Sequence, residues 1–178
     1  ELHVETDLLK QYYYNVKYFE KFSLLVHILK KKQEGKVMIF CSKRSTVELV
    51  HRNLRNNGIK AEMIHGKMSQ NRRLRVIDGF NKEKSDYLVA SAVAARGLDI
   101  KDVQLVINYD LSNDPQEYVH RVGRTARAGE AGKAITLLSD QEHGAFGAIF
   151  DRYDIDAEEL PLESFPKLRF ETQVRRVT

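Results

Sequence analysis

The chain holds a single cysteine, Cys41, so no intrachain disulfide can form. Its place after the apolar run Val37-Met38-Ile39-Phe40 predicts a buried thiol that packs rather than reacts. No apolar run approaches the length of a membrane span, and a soluble chain is expected. The acidic stretch Glu1 to Asp7 has neither the basic region nor the apolar core of a secretory signal. Retention inside the cell is therefore expected, in the cytoplasm, or in the nucleus if the source is eukaryotic. Internal repeats and low-complexity tracts are absent. So is a phosphate loop: no G-x-x-x-x-G-K-[S/T] occurs. The nearest lookalike, Gly129-Glu130-Ala131-Gly132-Lys133-Ala134, has the wrong spacing and no hydroxyl after its lysine. Without that loop the chain has no means of its own to position a triphosphate for hydrolysis.

What is present is enough for one well-buried core: 178 residues, 42% hydrophobic and 30% charged, favour a single folded domain. A formal charge of +4 and a pI near 9.1 permit nucleic-acid binding without requiring it.

Short β-branched or aromatic runs alternate with helix-period segments, the pattern of a parallel sheet covered on both faces by crossover helices. The fold class is α/β, a doubly wound and mainly parallel sheet. Strands are expected at Gln11 to Lys17, Val37 to Ser42, Ala61 to His65, Tyr87 to Ser91, Leu105 to Tyr109 and Ala134 to Leu138. Phe22, Leu25, Val26 and Leu29 make one helical stripe, and Val47, Val50 and Leu54 repeat it behind a possible Ser45 cap. Further helices are expected from Gln70 to Phe80, Pro115 to about Arg124 and Gln141 to Tyr153. Gly58 is placed to close the helix before it. The domain is drawn over 1–153. Residues 154–178 are read as a tail, either part of the domain surface or the start of an extension.

The densest chemistry lies in His120-Arg121-Val122-Gly123-Arg124-Thr125-Ala126-Arg127-Ala128-Gly129. If this run is helical, Arg124 and Arg127 stand one turn apart and can converge on one phosphate; the same spacing also suits a solvated helix face. The run resembles motif VI of the C-terminal RecA-like domain of DEAD-box ATP-dependent RNA helicases, H-R-x-G-R-T-x-R, at every fixed position.

The resemblance extends along the chain. Ile39 to Ser45 is similar to motif IV, implying RNA phosphate contact by Lys43 or Arg44. His65-Gly66-Lys67-Met68-Ser69-Gln70-Asn71-Arg72-Arg73 is similar to the family's H-G-x-x-S-Q and Q-x-x-R elements, implying RNA contact around Gly66, Gln70 and Arg73. A capped surface helix explains the same residues without RNA. Leu88 to Ile100 resembles motif V, usually T-D-x-A-A-R-G-L-D. Ser91 keeps a hydroxyl for RNA, but Ala92 removes the carboxylate. Gly97 and Asp99 match positions near the nucleotide ribose, although Asp99 also suits a simple turn. Val106 to Asp110 resembles motif Va.

By the same resemblance, Arg124 and Arg127 act as arginine fingers and His120 joins the water site to the partner domain. Arg96 and Arg121 serve interdomain contact, Arg121 by pairing an acid across the cleft. ATP and RNA are the implied ligands, with Mg2+ held mainly by an N-terminal lobe. That lobe would carry the phosphate loop and the Asp-Glu-Ala-Asp motif, neither of which this chain contains. No metal site of its own is expected. The chain reads as the C-terminal lobe of an RNA-stimulated ATPase that unwinds short duplexes, inactive alone. The alternative is a standalone RNA- or protein-binding module outside catalysis.

Overall fold

The computed structural model describes residues 9–31, 35–125 and 131–173. Runs rich in β-branched, aliphatic or aromatic residues become strands β1 (Leu9–Asn15), β2 (Lys36–Phe40), β3 (Ala61–Ile64), β4 (Tyr87–Ala90), β5 (Val103–Asn108) and β6 (Gly132–Leu138), and two glutamates form a short β7 (Glu158–Glu159). Between them lie helices α1 (Lys21–Lys31), α2 (Arg44–Asn56), α3 (Gln70–Asn81), α4 (Ala92–Ala95), α5 (Pro115–Val122) and α6 (His143–Tyr153). All described strand pairs are parallel, in the order β3-β4-β2-β5-β6-β1-β7.

Side chains alternate along a strand, so β2 sends Met38 and Phe40 to one face and Val37 and Ile39 to the other. On the first face they meet Ile77 and Phe80 of α3, Tyr118 and Val122 of α5, and Phe146 and Ile149 of α6. On the second they meet Phe22 and Leu25 of α1 and Val47, Val50 and Leu54 of α2. With both faces covered, every residue of β2 is buried, and its sequence is a continuous rather than an alternating apolar run. Cys41 is buried in the second face. Full burial of one such aliphatic or aromatic side chain contributes about 1.5–3 kcal/mol.

The chain moves outward from β2 to β3, returns through β4 and crosses to β5, so the winding reverses beside β2. Parallel strands place their carboxyl ends, and the loops that leave them, along one edge. That is the crevice where open α/β sheets take ligands.

Two helix ends differ from the sequence reading. Helix α2 begins at Arg44 with Lys43 at the capping position, so Ser45 lies inside the first turn and does not cap it. Helix α5 stops at Val122 rather than Arg124. Gly123, Arg124 and Thr125 continue in tighter turns, and the Thr125 hydroxyl donates to the Val103 carbonyl at 2.6 Å, drawing the chain toward β5. Gly58, at φ +78°, closes α2 as expected. Helix α4 and strand β7 are additions.

After α6 the chain turns through Asp154 at φ +50°, and β7 pairs with Tyr12 and Tyr13 of β1. It then runs back over α1 and α2. Phe165 is buried against the His27 ring, the Leu168 amide donates to Ser23 Oγ at 2.8 Å, and Asn53 exchanges two 2.9 Å hydrogen bonds with the Glu171 backbone. Among the described residues no helix is long and apolar enough to cross a membrane.

Candidate nucleotide and nucleic-acid interface

Arginine presents a planar fork of five donors, and Arg121 uses that geometry inside the domain. Its side chain is 1% exposed. One terminal nitrogen donates to the Asp110 carbonyl at 2.6 Å and to Asn108 Oδ1 at 3.4 Å. The other donates to Ser42 Oγ at 3.1 Å and Glu117 Oε2 at 2.8 Å. Asp110 in turn accepts from the amide and hydroxyl of Ser42, each at 2.7 Å. Within this lobe its acids are Glu117 and Asp110, and it fastens the loops after β2 and β5 to α5; the interdomain role expected of it is a proposal.

Arg124 stands just beyond α5, in the turn after Gly123, and therefore not on a helix as the arginine-pair reading required. Its guanidinium donates to the carbonyls of Ala95 at 2.7 Å and Leu98 at 2.9 Å. Between these acceptors lies Gly97 at φ +77°, a left-handed turn that glycine adopts without the Cβ penalty. The Asp99 side chain is 77% exposed. Its backbone is fixed by Asn81, whose amide donates to the Asp99 carbonyl at 2.8 Å, and its carboxylate lies 3.5 Å from Lys101. Arg96 is exposed at the end of α4. His120 lies near enough to Arg96 and Arg124 that their charges, behind the larger effect of burial, hold its pKa below the ordinary histidine value. Arg127, the second expected finger, lies outside the described residues.

The expected RNA residues occupy the same edge. Lys43 and Arg44 are exposed at the start of α2, with Arg44 3.4 Å from Glu48. Gly66 is exposed with open space where a Cβ would stand. His65 accepts from the Lys67 amide at Nδ1, which leaves Nε2 to face Glu48 at 3.4 Å; burial, foremost, lowers its pKa. Ser69 caps α3 by accepting from the Arg72 amide at 3.2 Å, and Gln70 opens the helix, exposed. Arg73 is half-buried, and its Nε has no hydrogen-bond partner among the described residues. Ser91 accepts from the Ala94 amide as the cap of α4, which leaves its hydroxyl proton to donate. Ala92 is 7% exposed, at the first position of α4. Among the described residues no group of three histidine, cysteine, aspartate or glutamate side chains is placed to hold a metal ion.

Two residues that the sequence did not single out also shape this edge. Lys21 is 1% exposed; it pairs with Glu142 and donates to the Tyr109 carbonyl at 2.9 Å. Glu142 also accepts from Ser139 and from the Leu111 amide, so this pair joins the loops after β5 and β6 to the start of α1. Asn108, fully buried, holds Thr136 and Arg121. A lysine bordering an apolar helical stripe was the available signal for Lys21, but its partner lies far along the chain.

Comparison with known proteins gives the same class as the fold and this edge. Residues 20–129 match the helicase conserved C-terminal domain. The ATP-dependent RNA helicase dbp3 of Aspergillus terreus is 41% identical over 157 residues, covering 87% of this chain and 32% of that protein. E. coli DEAD-box protein SrmB, solved bound to regulator of ribonuclease activity A, superposes with a TM-score of 0.83 at 34% identity, covering 93% of this chain and 98% of that one. S. cerevisiae Dbp5, solved bound to RNA and ADP BeF3, gives a TM-score of 0.82 at 34% identity over 90% of this chain and 44% of that one. The chain belongs to the helicase C-terminal domain family, as a RecA-like domain of the DEAD-box RNA helicase type. It spans about a third of the length of dbp3.

Proposed function

We propose that this chain is the C-terminal lobe of an ATP-dependent RNA helicase that works inside the cell. It would contribute Arg124 and Arg127 to phosphoryl-transfer chemistry and its carboxyl-edge loops to an RNA surface. The observation that carries the reading is the gathering of Arg124, the Gly97 turn and the exposed Asp99 carboxylate beside the loops of Gly66, Gln70 and Ser91 on one edge of a parallel sheet. An arginine fork and an exposed carboxylate on the loop it braces suit a nucleotide, the first for phosphate and the second for ribose hydroxyls.

In this reading the N-terminal lobe grips the triphosphate and most of its Mg2+ coordination, and the bound nucleotide supplies the bond that is broken. Arg124 then exchanges the Ala95 and Leu98 carbonyls for phosphate oxygens. Arg127 joins it, and His120 orders the contact between lobes. An arginine finger contributes on the order of a thousandfold or more in rate. RNA is held through its phosphates, by Lys43, Arg44, Arg73, the Gln70 helix start and the Ser91 hydroxyl, so recognition is independent of base identity.

The test is ATP turnover. The chain alone should show no RNA-stimulated hydrolysis, adding its N-terminal lobe should restore it, and Arg127→Lys should abolish the restored rate. Restored turnover that is indifferent to Arg127→Lys would remove Arg127 from the mechanism, and no restored turnover at all would leave the standalone binding module as the better account.

A further inference from the structure

Outside the edge just described, the long side of α3 faces a groove of about 450 Å³ against the exposed flank of β3, the last strand of the sheet. Arg72, Arg75 and Lys84 line it, with Gly79, Ser85 and Glu62. Among the described residues none of these three cations is ion-paired, whereas neighbouring Lys82 is paired with Asp78 and Arg55 lies 3.9 Å from Glu62. Glu62, the one carboxylate in the groove, thus already has a cation beside it. The Ser85 hydroxyl oxygen is shielded from solvent and has no hydrogen-bond partner among the described residues. Gly79 sits in the helix interior, where glycine destabilises relative to alanine, and a Cβ there would meet nothing within 4 Å, so what it contributes is room. On the next helix, His51 of α2 is held below its ordinary pKa by burial first and then by Arg55, while Glu62 acts against the shift and Arg72 with it.

We propose that this groove binds the phosphate backbone of single-stranded RNA as the strand leaves the carboxyl-edge loops. The inference rests on the RNA reading above and extends its footprint. Arg72 lies in the first turn of α3, two residues and about 200° around the helix from Gln70, so a strand leaving the expected RNA contacts reaches the groove by crossing the start of α3. From Arg72 to Gly79 the helix rises about 10 Å, the length of about three stacked nucleotides. Contacts to phosphate alone make the added binding independent of sequence and sensitive to salt.

Fluorescence anisotropy with labelled oligouridylates tests this on the chain itself, using one RNA that fills only the carboxyl-edge loops and one longer by about three nucleotides. Wild type should bind the longer RNA roughly five- to tenfold tighter. The Arg72→Ala/Arg75→Ala variant should bind both lengths alike, with the salt slope for the longer RNA reduced by about 1.4. Gly79→Glu should also cancel the gain by placing a carboxylate in open space, while Gly79→Ala should keep it. Arg73→Ala should weaken both lengths. Equal binding of the two lengths by wild type, or a gain that survives the charge variants, overturns the groove and leaves the RNA reading intact if the short RNA still binds. Binding of neither length overturns both. Inorganic tripolyphosphate that binds wild type but not the double variant, without any RNA length gain, would assign the groove to a small polyanion and overturn the strand path.

Discussion

The Arg124 guanidinium donates to the carbonyl oxygen of Ala95 at 2.7 Å, and its second terminal nitrogen reaches Leu98 at 2.9 Å. One planar fork therefore braces both ends of the turn that holds Gly97 and precedes Asp99. Candidate finger and candidate ribose loop form a single unit, tied through backbone acceptors that no substitution in the loop removes. Arg124→Lys replaces the two fixed nitrogens of the fork by one ammonium on a flexible stem, so the paired geometry on the two carbonyls is lost; the expected loss is about 1–2 kcal/mol. Amide exchange across Arg96 to Asp99 should quicken at the same time. An unchanged denaturation midpoint with unchanged exchange would show that the brace carries no weight.

Arg121 is expected to matter more for folding. It is buried with Glu117 and close to Asp110, and it also serves Ser42 and Asn108. Removing the cation leaves carboxylates behind it unpaired, and breaking such a pair from one side costs about 3–5 kcal/mol. Urea denaturation of Arg121→Ala should show that loss, accompanied by exposure of the loops after β2 and β5. A loss below about 1 kcal/mol would mean that the network is not structural.

Acid should weaken the fold before the carboxylates titrate. Burial holds His51, His65 and His120 below the ordinary histidine pKa, with arginine charges adding to the effect. In the unfolded chain these groups take up protons around pH ~6.5. Between about pH 7 and about pH 5.5 the unfolded state binds more protons than the folded one, so stability falls as pH falls; above that window all three are neutral in both states and the effect is absent. Urea midpoints measured across the window should decline on acidification, and His65→Gln with His120→Gln should flatten the decline. A midpoint that rises toward acid would reverse the assignment.

Much of this architecture is legible from local pattern. Val37 to Phe40, Leu88 to Ala90 and Leu105 to Ile107 are short apolar runs between helix-period segments, and each becomes part of a strand of the parallel sheet. The motif loops could be placed at carboxyl ends because strand must precede loop and helix must follow. What stayed hidden depends on partners distant in sequence. Glu158 and Glu159 carry no apolar signal, and they form a strand only because β1 offers an unpaired edge. The tail shows its role only once Phe165, Leu168 and Glu171 meet α1 and α2. Arg121 sits inside a motif that suggests a cleft residue, yet Glu117 one turn before it and Asp110 on the neighbouring loop hold it inside. Helix α4 was missed because four residues, Ala92 to Ala95, are too few for periodicity to register.

The central claim is that guanidinium groups of this lobe reach a phosphoryl group held by another lobe. A crystal structure of the two lobes joined, with RNA and a non-hydrolysable ATP analogue bound, measures it most directly. The account predicts Arg124 and Arg127 at about 2.7–2.9 Å from oxygens of the terminal phosphoryl, with the Ala95 and Leu98 carbonyls released. Arg124 still seated on those carbonyls in the closed state, with no arginine of this lobe within hydrogen-bond reach of the phosphoryl, would contradict it.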